Sequence, residues 1–259
     1  MSQGRTPVPC DKFEANAFSR KESAMDNPVD VFSNRNLIAP NRKEWLWSIL
    51  AWVLFMGGFS LLMPLLGFHT TTEQGRYTFQ FAHELFSFLT VLIVFHRFLY
   101  RSRCKILRLL TTALLGYLAL NGISYFWQLL LSFIPIPLNN LNQESVEASI
   151  HYEPLTMAFQ IIVMAPIVEE TLIRGSIFAP LCKKSPLLAY IASMSVFSFL
   201  HIVSSIGSQS PAELLRSFLE YLPGGFMMSW AYQRTGTIWG SVTLHSFCNL
   251  VSMFFILRG

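Results

Sequence analysis

The C-terminal part of the chain holds side chains with the types and spacing of a hydrolytic centre: Glu169, Glu170 and Arg174, then Phe197 and His201, then His245 and Asn249. A carboxylate beside an imidazole can hold and deprotonate a water, best when burial brings the acid toward neutrality. A second imidazole and a carboxamide can donate hydrogen bonds to the oxyanion that forms as the water attacks a carbonyl. The chemistry open to such a set is amide hydrolysis. Zinc is the alternative, since one Glu and two His are ligand types that leave a position for water. The chain has no HExxH pair, however, and Asn is a weak zinc ligand, so activation without a metal is the favoured reading.

Spacing sharpens this reading. Glu170 and Arg174, Phe197 and His201, and His245 and Asn249 are each four residues apart, so each pair shares one face of a helix. Glu170 lies N-terminal to Arg174, the favourable order for an ion pair. Glu169 lies about 100° round the helix and has no basic residue three or four positions on, so its partner must come from elsewhere. Read singly, each position also fits a packing role, such as a hydrogen-bonded histidine or a Glu–Arg pair locking two helices. Three ordered elements on three helices argue for a shared site.

The elements that must position these groups are membrane helices. Of 259 residues, 52% are hydrophobic and 13% charged, well below the charge of a soluble domain, so lipid is the expected solvent. The expected fold class is all-α: a polytopic membrane helical bundle of about seven spans, residues 45–259, behind a flexible cytoplasmic tail, residues 1–44. Apolar runs long enough to cross lie at 45–66, 78–100, 106–134, 155–182, 187–203 and 237–257. An irregular sixth span at 212–234 is expected to break at Pro223-Gly224-Gly225. Residues 139–153, with three acids and no Lys or Arg, read as a loop. Ser185 and Pro186 read as the N-cap and first residue of the fifth span, and Pro166 should free a carbonyl one turn before Glu169. His83 and Glu84, early in the second span, read as bundle-facing structural residues, with an accessory place in a site as the alternative. Counted from the inner ends at about 1.5 Å per residue, Glu169, His201 and Asn249 lie roughly 18–21 Å deep and His245 roughly 12 Å. That is one layer within the uncertainty of helix ends.

Basic residues set the expected orientation. Arg35, Arg42 and Lys43, the run from Arg97 to Arg108, Lys183, Lys184 and Arg234 share one side if the N-terminus is cytoplasmic, which leaves an external C-terminus. Because these charges follow membrane edges, no nucleic-acid partner is expected; the bilayer is. Residues 1–44 contain no apolar segment of a signal peptide, so the first span should direct insertion. The four cysteines have neither metal nor disulfide spacing and read as reduced thiols.

Glu-Glu-x-x-x-Arg, Phe-x-x-x-His and His-x-x-x-Asn, in this order on successive membrane helices over about 155–257, resemble the CPBP intramembrane endopeptidases. That family includes the CAAX prenyl proteases of the Rce1 type and the bacterial bacteriocin-processing or immunity proteins, also called Abi. The resemblance implies an all-helical catalytic core in which Glu169 activates water together with His201, while His245 and Asn249 stabilise the oxyanion. Glu170 and Arg174 would then orient the site, and Phe197 would pack beneath His201. It also implies a peptide or membrane-protein substrate, prenylated in part of the family. From the residues themselves no cofactor is expected, with zinc as the alternative, and the compact chain is expected to be a multi-pass protein of the cell membrane. A non-proteolytic peptide-binding or immunity protein on the same fold is the first alternative. A proton-coupled transporter is the second, disfavoured because no inverted repeat is visible.

Overall fold

Long apolar runs bounded by Asn, Thr and Ser caps dictate a helical protein, and in lipid a helix satisfies its own backbone. The computed structural model describes residues 37–67, 71–136 and 140–258. Among these it contains α1 (Arg42–Leu62), α2 (Glu73–Arg101), α3 (Ile106–Leu131), α4 (Leu141–Tyr152), α5 (Pro154–Cys182), α6 (Pro186–Ile202), α7 (Pro211–Thr235) and α8 (Ile238–Ile256). Six of these, all but α4 and α7, are long and apolar enough to cross a membrane.

The capping residues set the boundaries. Asn41 caps α1 reciprocally: its Oδ1 accepts from Lys43 and Glu44 N–H, and Glu44 Oε2 accepts from Asn41 N–H. Ser185 Oγ accepts from Leu188 N–H at the start of α6, as its sequence led one to expect. Most of the proposed tail, residues 1–36, lies outside the described residues. Its last part is packed chain rather than tail. Leu37 is buried, Ile38 N–H donates to the Gly236 carbonyl at 3.0 Å, and the Tyr232 hydroxyl donates to the Ile38 carbonyl.

Two further boundaries depart from the sequence reading. The polar stretch read as a loop is α4, capped by Asn140, whose side chain accepts from Gln143 N–H. A polar sequence suffices there because only one face packs: Ile150 and Ser149 are buried, Ile150 in a cluster with Met157 and Met253, while Glu144 and Glu147 stay at the surface. The expected break at Pro223 is absent, and α7 is one continuous 25-residue helix. Pro223 offers no N–H to the Leu219 carbonyl four residues earlier, and Trp127 Nε1 of α3 donates to that carbonyl at 2.7 Å instead.

The same device recurs twice on α5. The Ser176 carbonyl, four residues before Pro180, takes the Trp45 indole N–H of α1 at 3.0 Å. Around Gln160–Met164 the helix widens to a π-helical stretch with bonds five residues apart, so Pro166 leaves the Ile161 carbonyl open. Asn249 Nδ2 of α8 donates to it at 2.7 Å. Each internal proline thus becomes a cross-link to another helix.

Lateral contacts define the two ends of the bundle. At one end the Glu44–Arg101 pair joins α1 to α2 at 2.9 Å, Trp239 Nε1 donates to the Leu99 carbonyl at 3.0 Å, and Arg108 donates to the Arg234 carbonyl at 2.7 Å. The start of α7 lies at the opposite end, where Glu220 meets Asn140 and Gln128. Helix α7 therefore crosses the bundle beside the six apolar helices. Its polar surface is tolerable because α3, α6 and α8 surround it. Gly225 admits Met194 of α6 so closely that an added Cβ would lie 2.8 Å from its Cα, and one turn on Ser229 donates to Ser193 at 3.0 Å.

Candidate active site

Helix α5 carries the acids through an irregular region: a six-residue α-helical piece, Ala165–Glu170, lies between two π-helical stretches. Such widened turns re-aim side chains and recur at functional sites. Here the effect is to bury Glu170 and Arg174 completely.

Glu170 is the hub. Its Oε1 accepts from Arg174 Nη1 at 3.0 Å and from His245 Nδ1 at 2.9 Å. The expected ion pair within α5 is thus present, and it extends to α8. Arg174 also reaches α7, donating from Nη2 to the Gly225 carbonyl at 2.9 Å, while its guanidinium lies 4.8 Å from the Phe197 ring centre on α6. One buried charge pair therefore joins four helices. It is tolerable in a low-dielectric interior because the carboxylate has two donors and the guanidinium has two acceptors and an aromatic face. Glu170 Oε2 and Arg174 Nε are buried without a hydrogen-bond partner.

Glu169 differs from its neighbour. Its Oε2 is buried with no hydrogen-bond partner, yet Glu169 interacts electrostatically with His201, His245, Arg174 and Tyr221. It faces the same region as the imidazoles without being tied to either. An unpaired buried carboxylate oxygen costs several kcal/mol, by order of magnitude, unless something polar meets it.

The two histidines are each fixed through Nδ1. His201 Nδ1 donates to the Phe197 carbonyl at 2.8 Å, and His245 Nδ1 donates to Glu170. In both rings Nε2 is the nitrogen left for chemistry. Phe197 packs against His201 with ring centres 4.3 Å apart, as the family resemblance implied, and lies 5.9 Å from His245. The histidines interact electrostatically with each other as well. Asn249, one turn beyond His245, spends one amide hydrogen on the Ile161 carbonyl, which leaves a single N–H for any other acceptor.

Of the second-span residues, His83 has a structural partner: its Nε2 donates to the Phe55 carbonyl of α1 at 3.1 Å. Glu84 points toward the site, with Oε1 buried and partnerless and an electrostatic interaction with Glu169. Sequence reasoning passed over Tyr221, whose ring lies 4.4 Å from that of His201. It belongs to no motif, and its one sequence signal is its place two residues before Pro223.

Among the described residues no three His, Cys, Asp or Glu side chains gather into a ligand set, and Glu170 Oε1 already accepts from two donors.

Comparison with known proteins bears on this site directly. No curated protein and no solved structure gives a match. Residues 151–251 match the family model described as type II CAAX prenyl endopeptidase Rce1-like, a range that holds every side chain above except those of α1 and α2. The match supports the resemblance carried by the three motifs: from the end of α4 to within α8, this chain is similar to the Rce1-like family.

Proposed function

We propose that this multi-pass protein is a membrane-embedded endopeptidase in which Glu169 activates a water against a peptide carbonyl. The observation that carries the reading is the buried, unpartnered Glu169 Oε2, set in a polar layer with two imidazoles whose Nε2 atoms are free. In this scheme the water donates one hydrogen bond to Glu169 and one to His201 Nε2. As its oxygen bonds to the carbonyl carbon, one proton passes to Glu169. The oxyanion accepts hydrogen bonds from His245 Nε2 and the remaining N–H of Asn249. Collapse breaks the C–N bond, and the held proton goes to the leaving amine. His245 can donate only as an imidazolium, and Glu170 on Nδ1 is the counter-charge such a cation needs. Removing a general base typically costs about 10²–10⁴-fold and an oxyanion donor about 10²–10³-fold.

The family description supports a prenylated C-terminal CAAX peptide as the substrate class. The clustering of basic residues at the α1 start and α2 end supports a cytoplasmic N-terminus in the cell membrane.

The test is cleavage of an internally quenched peptide ending in a farnesylated cysteine, two aliphatic residues and a final residue, by purified protein in micelles. Wild type should cleave, and Glu169→Ala should lose at least about 10²-fold in kcat. Equal rates for the two would reject the assignment. A cellular phenotype that survives both Glu169→Ala and His245→Ala would instead favour the non-proteolytic peptide-binding alternative.

A further inference from the structure

We propose that Tyr221 is a positioning residue that holds the His201 imidazole at the angle its Nε2 must keep; the inference rests on the reading of His201 given above. His201 sits in the last full turn of α6, where the helix passes into a short 3-10 turn at Val203–Ser205, so its own backbone offers little restraint. Its ring is fixed by three contacts. Nδ1 donates to the Phe197 carbonyl at 2.8 Å, and the rings of Phe197 and Tyr221 each lie against it with centres 4.3 and 4.4 Å away. The hydrogen bond fixes the tautomer, but a ring held only through Nδ1 can still rock about that bond. The aromatic neighbours remove this freedom.

Tyr221 is itself anchored. Its hydroxyl donates to Asn140 Oδ1 at 3.0 Å and accepts from Asn142 Nδ2 at 3.1 Å, at the start of α4. The preceding residue, Glu220, accepts from Asn140 Nδ2 at 2.9 Å and from Gln128 Nε2 of α3 at 2.8 Å. Because the hydroxyl's only proton is committed to Asn140, Tyr221 has none to offer in proton transfer. Its contribution is steric, and α4 becomes the brace of a catalytic histidine.

The same farnesylated peptide tests this, with Tyr221→Leu, Tyr221→Phe and Asn142→Ala. Tyr221→Leu should lower kcat by about 10²-fold, the cost of an ångström-scale misplacement, with KM unchanged. Tyr221→Phe keeps the ring and should recover most of that loss, and Asn142→Ala should fall between. An unchanged kcat in Tyr221→Leu while Glu169→Ala is inactive overturns the proposal and leaves the proteolysis reading standing. A raised KM with unchanged kcat also overturns it, because Tyr221 would then touch substrate. A second measurement is independent of turnover: in histidine-labelled protein, the His201 Nδ1–H signal, identified by its loss in His201→Gln, should broaden in Tyr221→Leu and stay sharp in Tyr221→Phe. A signal equally sharp in both variants refutes the bracing role even if no peptide is cleaved. Should the Leu variant not fold, Asn142→Ala against wild type decides in the same way.

Discussion

Helices α1, α2 and α3 bury 17%, 22% and 22% of their most apolar stretches inside the protein, whereas α5, α6 and α8 bury 50%, 33% and 39%. All six are apolar enough to cross a membrane, yet they serve different ends. The first three present residues such as Ile93, Leu107 and Tyr125, each more than two-thirds exposed, to the surroundings. The last three face one another and α7, and they hold the polar layer. In a lipid solvent an apolar side chain gains little by moving from tails to protein, whereas a polar one gains much. Burial in this bundle therefore follows polarity as much as apolarity.

This contrast can be broken most severely at the charge pairs. Arg174→Met leaves Glu170 buried without its guanidinium and should cost about 3–5 kcal/mol. Arg101→Met removes the partner of Glu44 at the rim, where Arg101 is 35% exposed and the buried Glu44 keeps the Asn41 N–H, and should cost less, about 1–3 kcal/mol. Denaturant unfolding in micelles reads both, and similar losses would dissolve the distinction between hub and rim. Glycine gives the next test. Gly225→Ala drives a methyl to 2.8 Å from Met194 Cα and should cost about 1–3 kcal/mol, whereas Gly122→Ala on α3 meets nothing within 4 Å and should gain about 0.5–1 kcal/mol. Thermal unfolding midpoints should move in opposite directions; a shared sign would sink the packing argument.

Smaller effects sharpen the picture. Trp127→Phe deprives the Leu219 carbonyl of its donor, and Asn249→Ala does the same for Ile161, each at about 0.6–2 kcal/mol. Asn249→Ala should in addition reduce peptide cleavage, while Trp127→Phe should lower stability with kcat kept; activity loss in step with stability for both would reduce Asn249 to a helix cross-link. Smallest of all, Ile93→Ala on the outer face should change the unfolding midpoint by no more than about 0.5 kcal/mol allows.

Much of this architecture was legible in advance. The spans, the Ser185 cap and the Glu170–Arg174 pair follow from periodicity, capping and four-residue spacing, and the packing of Phe197 on His201 follows from the family resemblance. Helix α4 was not, since its buried face amounts to little more than Ser149 and Ile150 and its polar remainder reads as a loop. Nor was the continuity of α7, because a proline breaks a helix only if nothing meets the carbonyl it exposes, and Trp127 is 92 residues from Leu219.

By itself, then, the amino-acid order determined which side chains share a helix face and which helices are apolar enough to enter lipid, because both depend on residues within a few turns of each other. Only the tertiary structure decided that Glu170 rather than Glu169 takes up His245, that Asn249 spends an N–H on Ile161, and that Tyr221 stands against His201. Each of these pairs joins separate turns or separate helices through distance and angle, and local sequence rules carry neither.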